Sequence, residues 1–332
     1  MASSASRSST NNSYSPPFPH PEAQLGGTPT PLPDVPLSII FLALYTLALL
    51  LSLLLLSLDH TLTPSTKPHY RHLQLLPSLV ITLLLTRLAA LSTRLAWAYQ
   101  PSSLELDIAF TTISQAGTIL LLIANLLIAR RFLRDYTLFG THIAVVRVAR
   151  AAIFCAVVSL VMGVSVHVDA YFTRDEETLQ RCRVIGLVAW CIRLVVAVVP
   201  LVAVVVGGWV FPLVREDEGD RRRFRARGGL MCAVGALLTL EEGFRTGVAF
   251  EGRGVGSRAW FLHKACLYCL VFLVEAMIVY GLLAAKLDPR FRSRPNELAK
   301  RDGVEPQRAE GTRSGWLQIH INNQTEVFGG SS

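Results

Sequence analysis

The sequence predicts an all-α membrane protein, a bundle of seven transmembrane helices. Of the 332 residues, 51% are hydrophobic and only 17% are charged, so the mean hydropathy is positive. A soluble protein of this length needs a larger polar surface. The apolar residues also gather into blocks separated by short polar segments, and each block is close to the roughly 20 residues that cross a bilayer.

The blocks give the seven predicted helices in chain order. They are Leu37–Leu58, Leu75–Trp97, Leu104–Ala129, Ala149–Tyr171, Val184–Phe211, Gly229–Phe250 and Trp260–Ala285. Blocks one, three, four and five are long runs of mainly Leu, Val, Ala and Ile, which soluble helices and strands interrupt with polar faces. Blocks two, six and seven contain ionisable residues, so their hydropathy is weaker.

Polar segments flank this predicted membrane domain, which covers residues 37–285. Residues 1–36 are rich in Ser, Asn and Pro, a composition that cannot bury a core and predicts a disordered tail. Residues 286–332 are polar and mixed in charge, and we expect a mostly disordered cytosolic tail. No basic stretch leads directly into a short apolar core, so the first block is predicted to act as an uncleaved anchor.

Basic residues beside the blocks predict the orientation. The loops 59–74, 130–148 and 212–228, together with the start of the C-terminal tail, carry 18 Lys and Arg, whereas the loops on the other side carry 5. The more basic side faces the cytosol, so the C-terminus is predicted inside and, with seven spans, the N-terminus outside. A glycosylation sequon at Asn11 agrees with this orientation. The plasma membrane is the favoured location.

The net charge of +8 is explained by these basic loops, which would lie on anionic lipid, so we predict no nucleic-acid partner. The chain has no Gly-x-Ser-x-Gly, His-Glu-x-x-His or P-loop motif. We therefore predict neither an enzyme nor a bound cofactor. No internal repeat is evident, which disfavours a transporter built from inverted repeats.

Ionisable residues inside the blocks are the candidate functional residues, because such a side chain at bilayer depth costs from about 2.5 to more than 10 kcal/mol. The candidates are Arg87 and Arg94 in block two, Glu241, Glu242 and Arg245 in block six, and Glu275 in block seven. Block five adds Arg193, and block seven adds Lys264 near its beginning.

Three of these residues, Arg87, Glu241 and Glu275, should lie at similar depth. The planar guanidinium of an arginine can meet two carboxylates, so we expect helices two, six and seven to pack together, with Arg87 bound by one or both of Glu241 and Glu275. Glu241 and Arg245 are spaced to pair on one helical face. Three interpretations stay open: an ion network that locks helix packing, a polar cavity for a substrate or proton relay, or charges moved to the interface by helix tilt.

A metal site is the weaker candidate. His167, Asp169 and His263 lie near predicted helix ends, where a membrane-bound metal hydrolase would hold zinc. No third histidine is nearby in sequence, and two residues separated by one position do not share a helical face. We therefore predict no metal.

A further pattern lies in the order of short motifs over about residues 73–295. The motifs are Arg87 and Arg94 with Ala96-Trp97-Ala98, Asn125 with Ala129-Arg130-Arg131, Glu242-Gly243-Phe244-Arg245-Thr246-Gly247, Glu275, and Asp288-Pro289-Arg290-Phe291 with Pro295. In this order they resemble a family of fungal multipass membrane proteins with a domain of unknown function. More distantly, the chain is similar to the fungal lipid-translocating exporter-like seven-helix proteins. The resemblance implies movement of a lipid or amphiphile, with Arg87, Glu241, Arg245 and Glu275 along a path or pocket.

The leading expectation is thus an integral membrane protein that binds or translocates a lipid or amphiphilic compound, with membrane lipids as its partners. The first alternative is a seven-helix receptor-like signalling protein, whose arginine-rich 212–228 loop would dock a cytosolic partner. Against it, Ala129-Arg130-Arg131 stands where such receptors have Asp-Arg-Tyr. The second alternative is the intramembrane metal hydrolase.

Overall fold

The regular structure of the described chain is helical. The computed structural model describes residues 25–62, 71–136, 142–210, 218–252 and 259–287, and within these ranges it contains helices and turns but no strand. The predicted all-α class is confirmed.

Several predicted features lie outside the described residues. These are residues 1–24 of the predicted N-terminal tail with the sequon at Asn11, and the C-terminal tail after residue 287 with the motif Asp288-Pro289-Arg290-Phe291 and Pro295.

Six long helices and one composite segment make up the described chain. The long helices are α1 (Pro31–Leu62), α2 (Arg71–Tyr99), α3 (Leu104–Tyr136), α4 (Ile143–Phe172), α5 (Glu176–Val210) and α6 (Glu218–Glu251). After a 3-10 turn at Trp260–Leu262 come α7 (Lys264–Leu267), a π-helical turn (Tyr268–Leu273) and α8 (Val274–Leu287). These last three pieces are contiguous, and we call residues 264–287 the final segment.

Six of the described helices are long and apolar enough to cross a membrane. They are Pro31–Leu58, Leu76–Tyr99, Leu104–Arg134, Ile143–Phe172, Glu176–Gly208 and Lys264–Lys286. By length and composition, the chain is therefore an all-helical membrane protein. The predicted sixth block, in α6, is not among the six, because an arginine-rich beginning and four further charged residues make that helix more polar.

Apolar side chains also cover the outside of the bundle. Ile39, Leu50, Phe154, Val161 and Val195 are each more than half exposed. An apolar surface of this kind is unfavourable in water, whereas it is the normal outer surface of a protein that faces lipid hydrocarbon. The exposed faces therefore agree with the membrane assignment that the lengths of the helices give.

Helices that follow one another in the chain run antiparallel, and α3 lies at the centre of the bundle. Arg94 near the end of α2 contacts Asp34 near the start of α1, and Tyr171 near the end of α4 contacts Asp107 near the start of α3. Of an 18-residue apolar stretch in each helix, 61% is buried in α3 and 11% in α4. We call the proximal end of the bundle the one at which α1, α3, α5 and the final segment begin.

The structure moves several predicted helix boundaries, among them the start of α5 from Val184 to Glu176 and the start of α6 from Gly229 to Glu218, and two of the changes have a local cause. Helix α1 begins at Pro31 rather than Leu37. Its second residue, Leu32, has an extended backbone (φ −123°, ψ 122°), because the proline that follows it disfavours the helical conformation. The final segment begins at Lys264 rather than Trp260, because the His263 side chain accepts a hydrogen bond from the Ala265 backbone N–H and caps the helix there.

Candidate functional site

The first part of the site is an ion pair between α2 and the final segment. Arg87 is completely buried and donates through Nη2 to Oε1 of Glu275, which is also completely buried. The same guanidinium donates to the Thr118 hydroxyl (2.8 Å) and to the Ser114 carbonyl (2.9 Å) of α3. Arg87 thus ties three helices together near the midpoints of their apolar spans.

Helix α6 joins this ion pair through its own charged turn. Arg245 Nη2 donates to Glu241 Oε1 at 2.8 Å and lies 3.9 Å from Glu275 Oε1. The Glu275 carboxylate is therefore shared by two arginines, one from α2 and one from α6. Sharing keeps all four side chains paired inside the bundle, where an unpaired charge would be costly.

Two further charges lie beside this group. Glu242 is completely buried, its two carboxylate oxygens have no hydrogen-bond partner among the described residues, and it interacts electrostatically with Arg245 and Arg193. Arg193 of α5 donates through Nη2 to Gln115 Oε1 (2.9 Å) and to the Ser159 carbonyl (3.2 Å). Arg193 was noted in the sequence without a partner, because nothing in the sequence says that α5 contacts α3 and α4.

The resulting set is balanced in charge. It contains three arginines and three glutamates, all at most 8% exposed: Arg87, Arg193, Arg245, Glu241, Glu242 and Glu275. We call these six residues the central network. Six of the eight ionisable candidates from the sequence belong to it, whereas Arg94 and Lys264 do not.

Arg94 belongs to a second group at the proximal end. Its Nη2 donates to Asp34 Oδ1 at 2.9 Å and to the Gly26 carbonyl at 3.2 Å. Lys264 also donates to Asp34, and the Tyr268 hydroxyl donates to Asp34 Oδ1 at 3.1 Å. We call Asp34, Arg94, Lys264 and Tyr268 the proximal cluster. Its carboxylate was missed in the sequence because the proline-rich surroundings of Asp34 were assigned to the disordered tail.

Glycine makes room for the buried arginines at two positions. A Cβ at Gly117 would lie 2.8 Å from Arg87 Cζ, and a Cβ at Gly163 would lie 2.8 Å from Arg193 Nη2. Distances this short require one side to move. Each guanidinium group therefore occupies space that is available because the facing helix has a glycine, without a side chain, at that position.

The residues of the metal alternative are not gathered into one site. His167 lies 3.5 Å from the Tyr171 hydroxyl, which donates to Asp107 Oδ2 at 2.7 Å, while His263 caps the final segment. Among the described residues, no group of three or more His, Cys, Asp or Glu is arranged to hold a metal ion.

A cavity of about 510 Å³ opens between α3, α4, α5 and α6. Gln115, Trp190 and Arg245 line it next to the central network, and Gln180 and Arg183 line it nearer the proximal end. Much of the remaining wall is apolar or small, and it includes Leu25, Phe110, Gly163, Val166, Ala170, Leu179, Gly186, Leu187, Val248, Ala249 and Leu267. A volume of this size is typical of small-molecule sites, which occupy about 300–1,000 Å³.

Comparisons with protein-family models, with curated proteins and with solved structures give no match for this chain.

Proposed function

We propose that the chain crosses the membrane seven times and binds or translocates a lipid or another amphiphilic compound. The observation that supports this most is the cavity between α3, α4, α5 and α6, which combines an extended apolar wall with a few polar groups. Such a combination suits a molecule with an apolar chain and a polar head. The resemblance to the fungal lipid-translocating exporter-like proteins leads to the same ligand class and remains a prediction.

The seventh span of this proposal is α6. It is 34 residues long, more than the roughly 20 that cross the hydrocarbon. The charges that lower its hydropathy, Glu241, Glu242 and Arg245, are buried against neighbouring helices rather than facing outward. Burial within the bundle is how a membrane helix retains such residues, so these charges are consistent with a span.

With seven spans, the distribution of basic residues puts the N-terminus outside and the C-terminus in the cytosol. Expression in a eukaryotic host tests this orientation. A mobility shift on glycosidase treatment that disappears in Asn11→Gln supports it. If the wild type showed no mobility shift while a glycosylation reporter fused to the C-terminus was glycosylated, the orientation would be the reverse of the one proposed.

The binding proposal is tested by filling the cavity. Gly186 of α5 lines the cavity, and a Cβ there would meet Val166 at 3.7 Å, an ordinary contact. Gly186→Leu should therefore fold, reduce the cavity volume, and lose any lipid that co-purifies with the wild type. The lipids retained by each purified protein are identified by mass spectrometry.

The matched control is Gly247→Leu, since Gly247 is an exposed position on α6 with nothing within 4 Å of an added Cβ. It adds the same side chain outside the cavity and should retain the wild-type lipid. If the two variants and the wild type carry the same lipids in the same amounts, the cavity is not a binding site and the proposal is wrong.

A further inference from the structure

The charged side chains on the cavity wall are already engaged by other parts of the protein. Arg245 donates to Glu241 and belongs to the central network, whose charges balance. Arg183 and His167 also line the cavity, and each of them interacts with another group of the protein. A charged headgroup would have to compete with an existing interaction at each of these side chains. Among the described lining residues, the polar groups left for a ligand are therefore neutral ones.

Two such neutral groups lie on one face of α3. Thr111 and Gln115 both line the cavity and are four residues apart, so their side chains are neighbours along the helix. A guanidinium only donates, so the contact from Arg193 Nη2 (2.9 Å) fixes the Gln115 amide oxygen toward Arg193 and leaves the amide N–H groups for another acceptor. The Thr111 hydroxyl has no hydrogen-bond partner among the described residues. Together the two side chains can bind a hydroxyl, carbonyl or amide group.

The depth of these two side chains favours an uncharged headgroup. They belong to the 31-residue span Leu104–Arg134, and at 1.5 Å per residue Gln115 is about 6 Å and Thr111 about 12 Å from its middle. Half of the hydrocarbon is about 15 Å thick, so both positions lie within it if the span is centred. An ionic headgroup at this depth is costly unless it is paired, and the neighbouring central network has no charge left over. A neutral polar group costs far less once it is hydrogen-bonded.

The rest of the wall suits an apolar body beside that polar group. Val166 of α4, Leu187 of α5 and Val248 of α6 line the same cavity. Gly163 and Gly186 are also on the wall and have no side chain to fill the space. The cavity therefore offers apolar contacts from three helices and hydrogen bonds from a fourth.

We propose that the cavity binds uncharged amphiphiles, whose hydroxyl, carbonyl or amide group hydrogen-bonds to Thr111 and Gln115 while the apolar part packs against Val166, Leu187 and Val248. This inference rests on the proposed function, because it specifies the ligand class of the same cavity. It names Thr111 as a residue that recognises the polar group of the ligand.

The test compares three probes that share a decyl chain: decanol, decyl phosphate and decyltrimethylammonium. Each is titrated into the full-length protein in phosphatidylcholine nanodiscs, with its concentration expressed per lipid, and saturable binding is measured against Gly186→Leu as the blocked reference. We expect decanol to bind about ten-fold more tightly than either ionic probe, because only decanol brings no charge into the cavity.

Thr111→Val removes the hydroxyl at nearly constant volume and should weaken decanol binding about five-fold. Thr111→Ser keeps the hydroxyl and should bind decanol as the wild type does. The matched control is Thr112→Val, the same change at the next residue of α3, which does not line the cavity. It should also keep the wild-type affinity. The unfolding temperature of each variant shows that it is folded.

The other outcomes separate this inference from the proposed function. If an ionic probe binds as tightly as decanol and Gly186→Leu abolishes both, the preference for an uncharged ligand is wrong and the binding cavity remains. If folded Thr111→Val binds decanol like the wild type, or if Thr112→Val weakens binding equally, the role of Thr111 is wrong. Absence of saturable binding for every probe, together with no retained lipid, would remove both proposals.

Discussion

Arg87 and Arg94 lie on one face of α2, both completely buried, yet their surroundings differ. The partners of Arg87 come from the middles of other helices, and its network has no net charge. Arg94 binds Asp34 at the start of α1, in a cluster with one more positive charge than negative, and Lys264 there is 19% exposed. A long cationic side chain near a helix end can reach water or headgroups, which solvate the excess charge.

Depth therefore decides how strictly charges must balance. At mid-depth neither water nor lipid solvates an ion, so every charge needs a partner within the protein. Near the end of the bundle one group can remain partly solvated. If this is correct, substitutions in the central network should cost more than comparable ones in the proximal cluster.

The largest effect is expected from Arg87→Met. It leaves Glu275 with Arg245 alone and gives the central network a net negative charge, which should destabilise the fold by about 3–5 kcal/mol. Thermal or denaturant unfolding in detergent measures the loss. Arg150→Met, at an exposed arginine on α4, should change stability by no more than about 0.5 kcal/mol.

The double variant Arg87→Met with Glu275→Gln makes this test specific. Because it restores charge balance, we expect it to be more stable than Arg87→Met alone, and the double-mutant cycle measures the coupling. If the double variant is less stable than the wild type by the sum of the two single-variant losses, the two residues are independent and the network argument is wrong.

Asp34→Asn is expected to have the second-largest effect, about 2 kcal/mol. The amide keeps a hydrogen bond to Arg94 but removes the negative charge between Arg94 and Lys264. Lys264 can turn toward solvent, so the loss should be smaller than for Arg87→Met under the same unfolding conditions. A loss equal to or above that of Arg87→Met would contradict the dependence on depth.

Gly117→Ala tests the space that Arg87 occupies. Overpacking costs about 1–3 kcal/mol, while replacing a helical glycine by alanine gains about 0.5–1 kcal/mol. We expect a net loss of roughly 1 kcal/mol, measured by the same unfolding assay. Gly229→Ala, with nothing within 4 Å of its added Cβ, should be neutral or stabilising. Equal effects of the two variants would mean that Arg87 moves without cost.

The sequence predicted those parts of this arrangement that are local. Long apolar blocks predicted the helices, and the i, i+4 spacing of Glu241 and Arg245 predicted a pair that the structure contains. The Arg87–Glu275 contact was expected from similar depth, although depth alone does not choose neighbours. Whether these charges bind a ligand or only lock the helices stays a prediction.

Contacts between distant helices were not predictable in this way. Asp34 was hidden in a segment whose prolines resemble those of a disordered tail, and its partner is 60 residues away. The cavity draws its wall mainly from four helices, each of which contributes a few residues, so no single stretch of sequence signals it. Both features depend on which helices pack together, which hydropathy does not specify.

The smallest effect is expected from a substitution at Asp175. This carboxylate is exposed at the proximal end, so it serves as the solvated comparison for the buried carboxylate of Asp34. Asp175 accepts hydrogen bonds from the Thr178 hydroxyl (2.6 Å) and backbone N–H (3.0 Å), and these bonds lower the pKa of its carboxyl below 3.8. Because the folded-state pKa is lowered, the ionised group stabilises the fold above the pKa of the unfolded chain. That contribution is lost as the pH falls through the folded-state value.

Asp175→Asn should therefore lower the unfolding temperature slightly at neutral pH, by less than Arg87→Met, Asp34→Asn or Gly117→Ala, and the difference from wild type should vanish once the pH is below the folded-state pKa. Unfolding curves of both proteins over that acidic range measure it. A difference that persists there would show that the amide disturbs the start of α5 for a reason other than charge. An effect as large as that of Asp34→Asn at neutral pH would mean that burial of the carboxylate does not set its contribution, and the comparison between the middle and the end of α2 would lose its physical basis.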